Sequence, residues 1–203
     1  MKAFLASTIK HPDSQEALKA FVPNLKTVKM AYVPTAAHAE EGFGVWESGG
    51  SWKVAQNLCD NIEIVKLEDY RNNTVLTELQ KYDVIWFAGG FCGYLMYWML
   101  QCGISKDLFK DKVYIGISAG SSVAGTSLSY MSIYKDGDSE PASVFLPGLG
   151  ILDKEFYPHY QESQYERISE NYKGEGIYLV PDGEQILIED DNIKPSEGVT
   201  VLD

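Results

Sequence analysis

Five short apolar runs, spaced so that a helical pattern fits between each pair, restrict this chain to very few folds. Ala3–Ala6, Lys29–Val33, Ile62–Lys66, Asp83–Ala88 and Val113–Ile117 read as strands buried on both faces. Between and after them, Ser14–Phe21, Trp46–Leu58, Val75–Leu79, Tyr94–Gln101 and Lys106–Lys110 carry helical spacing. Alternation of this kind gives an α/β architecture, a mainly parallel sheet flanked by helices. The C-terminal part is β-rich. Leu128–Tyr134, Gly176–Val180, Gln185–Glu189 and Gly198–Leu202 read as strands, interrupted by one helix at about Ser163–Asn171. Pro181-Asp182-Gly183 is a turn signal that joins two of those strands as a hairpin would. No linker or repeat divides the chain, so residues 1–203 are expected to form a single domain.

Ligands of open α/β sheets sit at the carboxyl ends of the strands, and two such ends stand out. Val113-Tyr114-Ile115 runs into Gly116-Ile117-Ser118-Ala119-Gly120 and then into small residues. Strand, sharp turn and helix in that order push the serine hydroxyl to the tip of the turn, and the glycines tolerate the tight backbone. The helix that follows aims its unpaired N–H groups at the serine. The second end is Ala88-Gly89-Gly90-Phe91, where tandem glycines let a backbone N–H approach a reacting group. Either motif alone is common in proteins without catalysis.

A serine nucleophile needs a base. His11, His38 and His159 are the three histidines. His159 follows Pro158, which biases the chain toward extended geometry, and it lies 41 residues after Ser118, room for a helix, a strand and a return. His38, just past a strand end, is the second choice, as base or substrate contact. The acid that would orient the imidazole is sought in Tyr134–Glu140, with Asp138 first, Asp136 close behind and Glu140 third.

Taken together these residues resemble the serine peptidases of the dipeptidase E and cyanophycinase family. The resemblance rests on Gly89-Gly90, on Gly116–Gly120, on Gly148-Leu149-Gly150-Ile151-Leu152, on Tyr157-Pro158-His159-Tyr160 and on Val180-Pro181-Asp182-Gly183, and it covers nearly the whole chain. It implies a flavodoxin-like, class I glutamine amidotransferase-like fold. It implies Ser118 as nucleophile, His159 as base, an acid in Asp136–Glu140, and an oxyanion hole from the N–H groups of Gly90 and Ala119. It further implies cleavage of small peptides next to acidic residues, through an acyl-enzyme, with no metal or cofactor. The chain departs from the family at Phe91-Cys92, where Asn-Thr is common, and these two residues are candidate substrate contacts. Residues 161–167, where charge-selective contacts are sought, hold one arginine, Arg167.

A net charge of −12 leaves no basic footprint for nucleic acid or an anionic membrane surface. The apolar runs are too short to span a bilayer. Met1–Ser7 reads as the first strand rather than an export leader, and three cysteines without ligand spacing fit a reducing, cytoplasmic setting. A monomer or small homo-oligomer acting on peptides is expected. The alternatives are an esterase of the α/β-hydrolase type, in which the histidine normally lies nearer the C-terminus, and a non-catalytic amidotransferase-like binding protein. Trp46 and Trp52, in the glycine-rich stretch 42–52, are placed as a flap over the cleft.

Overall fold

The structure is a computed structural model, and it describes residues 1–39, 46–70, 74–134, 140–190 and 192–203. Its strands are β1 (Lys2–Ala6), β2 (Met30–Val33), β3 (Ile62–Ile64), β4 (Val84–Phe87), β5 (Val113–Ile117), β6 (Glu155–Tyr157), β7 (Ile177–Leu179), β8 (Gln185–Glu189), β9 (Asn192–Pro195) and β10 (Thr200–Leu202). Its α-helices are α1 (Pro12–Phe21), α2 (Gly50–Leu58), α3 (Thr74–Leu79), α4 (Cys92–Gln101), α5 (Ala119–Ser122) and α6 (Tyr165–Asn171).

Seven strands form one sheet in the order β3-β2-β4-β5-β1-β8-β9. The first five are parallel, as the five apolar runs require, and β8 and β9 join as an antiparallel extension. Successive side chains on a strand point to opposite faces, and the core divides accordingly. Phe4, Ala6, Trp86, Ala88, Ile115 and Ile117 pack on one face with Leu18 of α1 and Ala55 and Leu58 of α2. Ala3, Leu5, Ile85, Phe87 and Tyr114 pack on the other face with α3 and α4. A second sheet, β10-β7-β6, shares that latter core through Phe156, Ile177 and Leu179.

Two sequence expectations fail in the C-terminal part. Leu128–Tyr134 is not a strand; Ser129–Ser132 forms a 3₁₀ turn. The cause is Glu155, whose carboxylate is buried and accepts from Ser127 Oγ and from Ser129 N–H at 2.6 Å, taking a donor that a ladder would need. Nor does Pro181-Asp182-Gly183 close a hairpin. It is a turn, sealed by Glu184 N–H donating to Pro181 O at 3.2 Å with Gly183 at φ 96°, but it carries the chain from the small sheet to the large one. The order β4-β5-β1 matters most for function. It sets the carboxyl ends of three adjacent strands, at Ala88, Ser118 and Ser7, side by side.

Candidate active site

Ser118 occupies the turn between β5 and α5 at φ 51° and ψ −111°, a conformation that L-residues seldom adopt. Three contacts hold it there. Its N–H donates to Ala6 O at 2.9 Å, and its carbonyl accepts from Ser121 N–H at 2.8 Å and Ser122 N–H at 2.9 Å. The glycines on either side allow the approach. A Cβ on Gly120 would stand 2.3 Å from Phe87 O, and one on Gly116 would stand 2.6 Å from Gly120 O. Ser121 Oγ ties the turn back to β1 and β5 by donating to Ala6 O at 2.8 Å or Gly116 O at 2.7 Å.

His159 lies two residues beyond β6, also at positive φ (56°). Its Nε2 stands 3.1 Å from Ser118 Oγ, and its Nδ1 stands 2.7 Å from Asp182 Oδ1. With the ring proton on Nδ1 and donated to Asp182, Nε2 presents a lone pair to the serine hydroxyl. Ser7, fully buried at the end of β1, fixes the histidine's backbone. Its Oγ accepts from His159 N–H at 3.1 Å and donates to Val180 O at 2.6 Å.

Asp182, which the sequence reading did not name as a candidate acid, is the described carboxylate that meets His159 Nδ1. Asp136 and Asp138 lie outside the described residues. Glu140 does not meet His159; its Oε2 accepts from Gly93 N–H at 2.8 Å and from Ser143 Oγ at 3.2 Å. The signal for Asp182 was register. β6 and β7 pair in parallel with Tyr157 opposite Leu179, so the second residue beyond each strand is His159 or Pro181, and Asp182 comes next. Tyr160 N–H, donating to Val180 O at 3.1 Å, extends the pairing to that point.

The other histidines do other work. His11 caps α1, its Nδ1 accepting from Asp13 N–H at 3.3 Å. His38, in the 3₁₀ turn Thr35–Ala39, pairs through Nδ1 with Glu68, and Glu68 also accepts from Thr35 Oγ1 at 2.7 Å.

A cavity of about 300 Å³ opens over Ser118 and His159. Gly89, Gly90 and Ala119 line it beside the serine. A Cβ on Gly90, at φ 134°, would stand 2.4 Å from Ala36 O, so only glycine fits there. The two faces of the sheet give the cavity two unlike arms. One is aromatic: Tyr32, Trp46 and Trp52 have ring centroids 4.8 to 5.8 Å apart, with Lys10 beside them. The other holds Cys92, Tyr130, Met131, Tyr134 and Glu140. Burial pushes the Cys92 thiol well above its ordinary range, and the negative charge of Glu140 adds to it, so this sulfur stays protonated. Trp46 and Trp52 are thus part of the wall, while residues 42–45 of the expected flap lie outside the described residues. Phe91 is not among the lining residues; Cys92 is. Arg167 is not among the lining residues. Its guanidinium donates to Ile133 O and, at 3.4 Å, to Tyr157 Oη. Among the described residues no cluster of His, Cys, Asp and Glu could hold a metal ion.

The model of peptidase family S51 matches residues 4–195. The chain belongs to peptidase family S51. It is a peptidase of the dipeptidase E group, and the α/β-hydrolase esterase alternative falls with that membership. The chain is 27% identical over 197 residues to the uncharacterized peptidase Lmo0363 of Listeria monocytogenes, covering 91% of this chain and 93% of that protein. It is 24% identical over 164 residues to the uncharacterized peptidase PM1590 of Pasteurella multocida, covering 78% and 77%. The S51 fold agrees with a crystal structure of a peptidase E candidate from Listeria monocytogenes EGD-e, at a TM-score of 0.78 and 23% identity over 96% of this chain and 97% of that one. A peptidase from an acI-B1 actinobacterium superposes at a TM-score of 0.67 and 18% identity, covering 98% and 88%. No helix among the described residues is long and apolar enough to cross a membrane.

Proposed function

We propose that this S51 peptidase cleaves small peptides through an acyl-enzyme on Ser118, with His159 as general base and acid and Asp182 as the residue that orients it. The observation that carries the reading is one unbroken chain of contacts, Ser118 Oγ to His159 Nε2 at 3.1 Å and His159 Nδ1 to Asp182 at 2.7 Å.

In this mechanism His159 takes the Ser118 proton as Oγ attacks the scissile carbonyl, and Asp182 stabilises the imidazolium. The N–H groups of Gly90 and Ala119, both on the cavity wall, receive the developing oxyanion. His159 then protonates the leaving amine, and water, activated by the same imidazole, hydrolyses the ester. General-base assistance is worth about 10²–10⁴ in rate, and each oxyanion donor about 10²–10³. None of these steps requires a metal or cofactor. Residues 1–203 act as one domain, since both sheets share a core, and the peptidase works in the cytoplasm on peptides rather than on nucleic acid or membranes.

Turnover of a dipeptide and tripeptide library by wild type and Ser118→Ala tests the reading. Wild type releases amino acids, and Ser118→Ala loses at least about 10⁴-fold in kcat while its unfolding midpoint stays close to that of wild type. Equal turnover by the two proteins would overturn the Ser118 mechanism.

A further inference from the structure

Glu140 is the group in the cleft that this mechanism leaves unused. It reaches the first turn of α4, whose N-cap residue Phe91 supplies no side-chain hydrogen bond. The Glu140 carboxylate takes that place from a distant segment, accepting Gly93 N–H through Oε2. Gly93 is shaped for it: a Cβ there would lie 2.5 Å from Glu140 Oε2 and 1.8 Å from Ser143 Oγ. The carboxylate is therefore fixed, with its Gly93 and Ser143 contacts both on Oε2 and the protonated Cys92 thiol donating to it as well. A carboxylate offers about four acceptor positions, so capacity remains for a further donor. Among the described residues no lysine, arginine or histidine pairs with Glu140. An anchored anion on a half-buried wall, with no cation paired to it among the described residues, attracts one from outside.

We propose that Glu140 selects a peptide bearing a cationic side chain, lysine or arginine, on one side of the scissile bond. This rests on the peptidase reading above and gives it a substrate class opposite in sign to the acidic one that the resemblance implies. The tyrosines and Met131 of the same arm offer apolar surface for the aliphatic stem of such a side chain. Lys10, on the aromatic arm, has the opposite sign, so the cleft is polar from end to end and reads a charged peptide in one direction. The net charge of −12 draws cations toward it.

The test uses dipeptides in which lysine, its uncharged analogue norleucine, and glutamate replace one another on either side of phenylalanine. Two readouts are taken: kcat/KM with the active enzyme, and binding to Ser118→Ala, which needs no chemistry. In one orientation, lysine exceeds norleucine by tenfold or more in both readouts, and glutamate falls below both. Glu140→Gln, whose amide oxygen still accepts from Gly93 N–H, abolishes the advantage of lysine over norleucine in both readouts and unfolds near the wild-type temperature. The proposal is overturned if glutamate matches lysine in both orientations, if lysine peptides neither bind nor react, or if the lysine advantage survives Glu140→Gln. Selective binding of lysine peptides without turnover would count against the peptidase mechanism and for the cation site. Turnover without charge selectivity would do the reverse.

Discussion

His159 and His38 each hold a carboxylate at Nδ1 within hydrogen-bond reach, and His159 also faces Ser118 through Nε2. His159 and Asp182 keep 36% and 55% of their side chains exposed, whereas His38 and Glu68 keep 23% and 17%. The second pair is also better tied. Glu68 is held by Thr35, which is fully buried and itself accepts from Leu67 N–H at 2.9 Å. The ring of His38 lies 6.3 Å from that of Trp46. A histidine–acid pair therefore does not define a catalytic site. In the proposed mechanism the His159–Asp182 pair carries the chemistry, because its other ring nitrogen meets Ser118 Oγ at 3.1 Å. The His38–Glu68 pair carries structure, because Glu68 is also tied to Thr35, and breaking the pair loosens that buried hydroxyl.

The sharpest way to break this contrast is to remove the catalytic groups. His159→Ala should cost about as much kcat as Ser118→Ala, on the order of 10⁴–10⁶-fold, since the two act as a unit. Asp182→Asn comes next. With the imidazole held in the wrong tautomer, kcat should fall by about 10³–10⁴, while a urea titration shows little change in stability because the group is exposed. Ser7→Ala should sit between the two kinds of pair. It leaves His159 N–H and Val180 O without their buried partner, so a stability loss of about 1–3 kcal/mol should accompany a fall in kcat of about 10–10² as the imidazole drifts. Glu68→Gln should do the opposite of Asp182→Asn: kcat within about threefold of wild type, and a loss of about 1–3 kcal/mol by urea unfolding. The smallest effect is Ser118→Gly against Ser118→Ala. Both are inactive, but glycine accepts φ 51° and should be more stable by about 1 kcal/mol, a shift of about 2–4 °C in midpoint for a chain of this size.

How far these features could be read from sequence follows from burial. β1, β2, β4 and β5 were legible because both their faces are buried, and Val113–Ile117 even kept its boundaries, whereas β3, at the sheet edge, leaves Glu63 and Ile64 exposed and not buried as expected. The serine turn was legible for the same reason, since glycines and small residues leave the backbone little choice. β6 was not legible as a strand because it begins with Glu155, a buried carboxylate that looks like a surface residue until Ser127 and Ser129 are seen around it. Losing β6 hid its parallel pairing with β7, and with it the register that brings Asp182 to His159. The acid was therefore sought in the acidic loop nearest in sequence, whereas the described carboxylate at His159 comes from a turn between two sheets.

Covalent labelling separates the roles of the two histidines at Ser118. Wild type, His159→Ala and His38→Ala are treated with a small fluorophosphonate, and the adduct is located and timed by peptide mass spectrometry. A single adduct on Ser118 is expected, forming as fast in His38→Ala as in wild type and at least about 10³-fold more slowly in His159→Ala. Equal rates in wild type and His159→Ala, or an adduct on another residue, would contradict the mechanism.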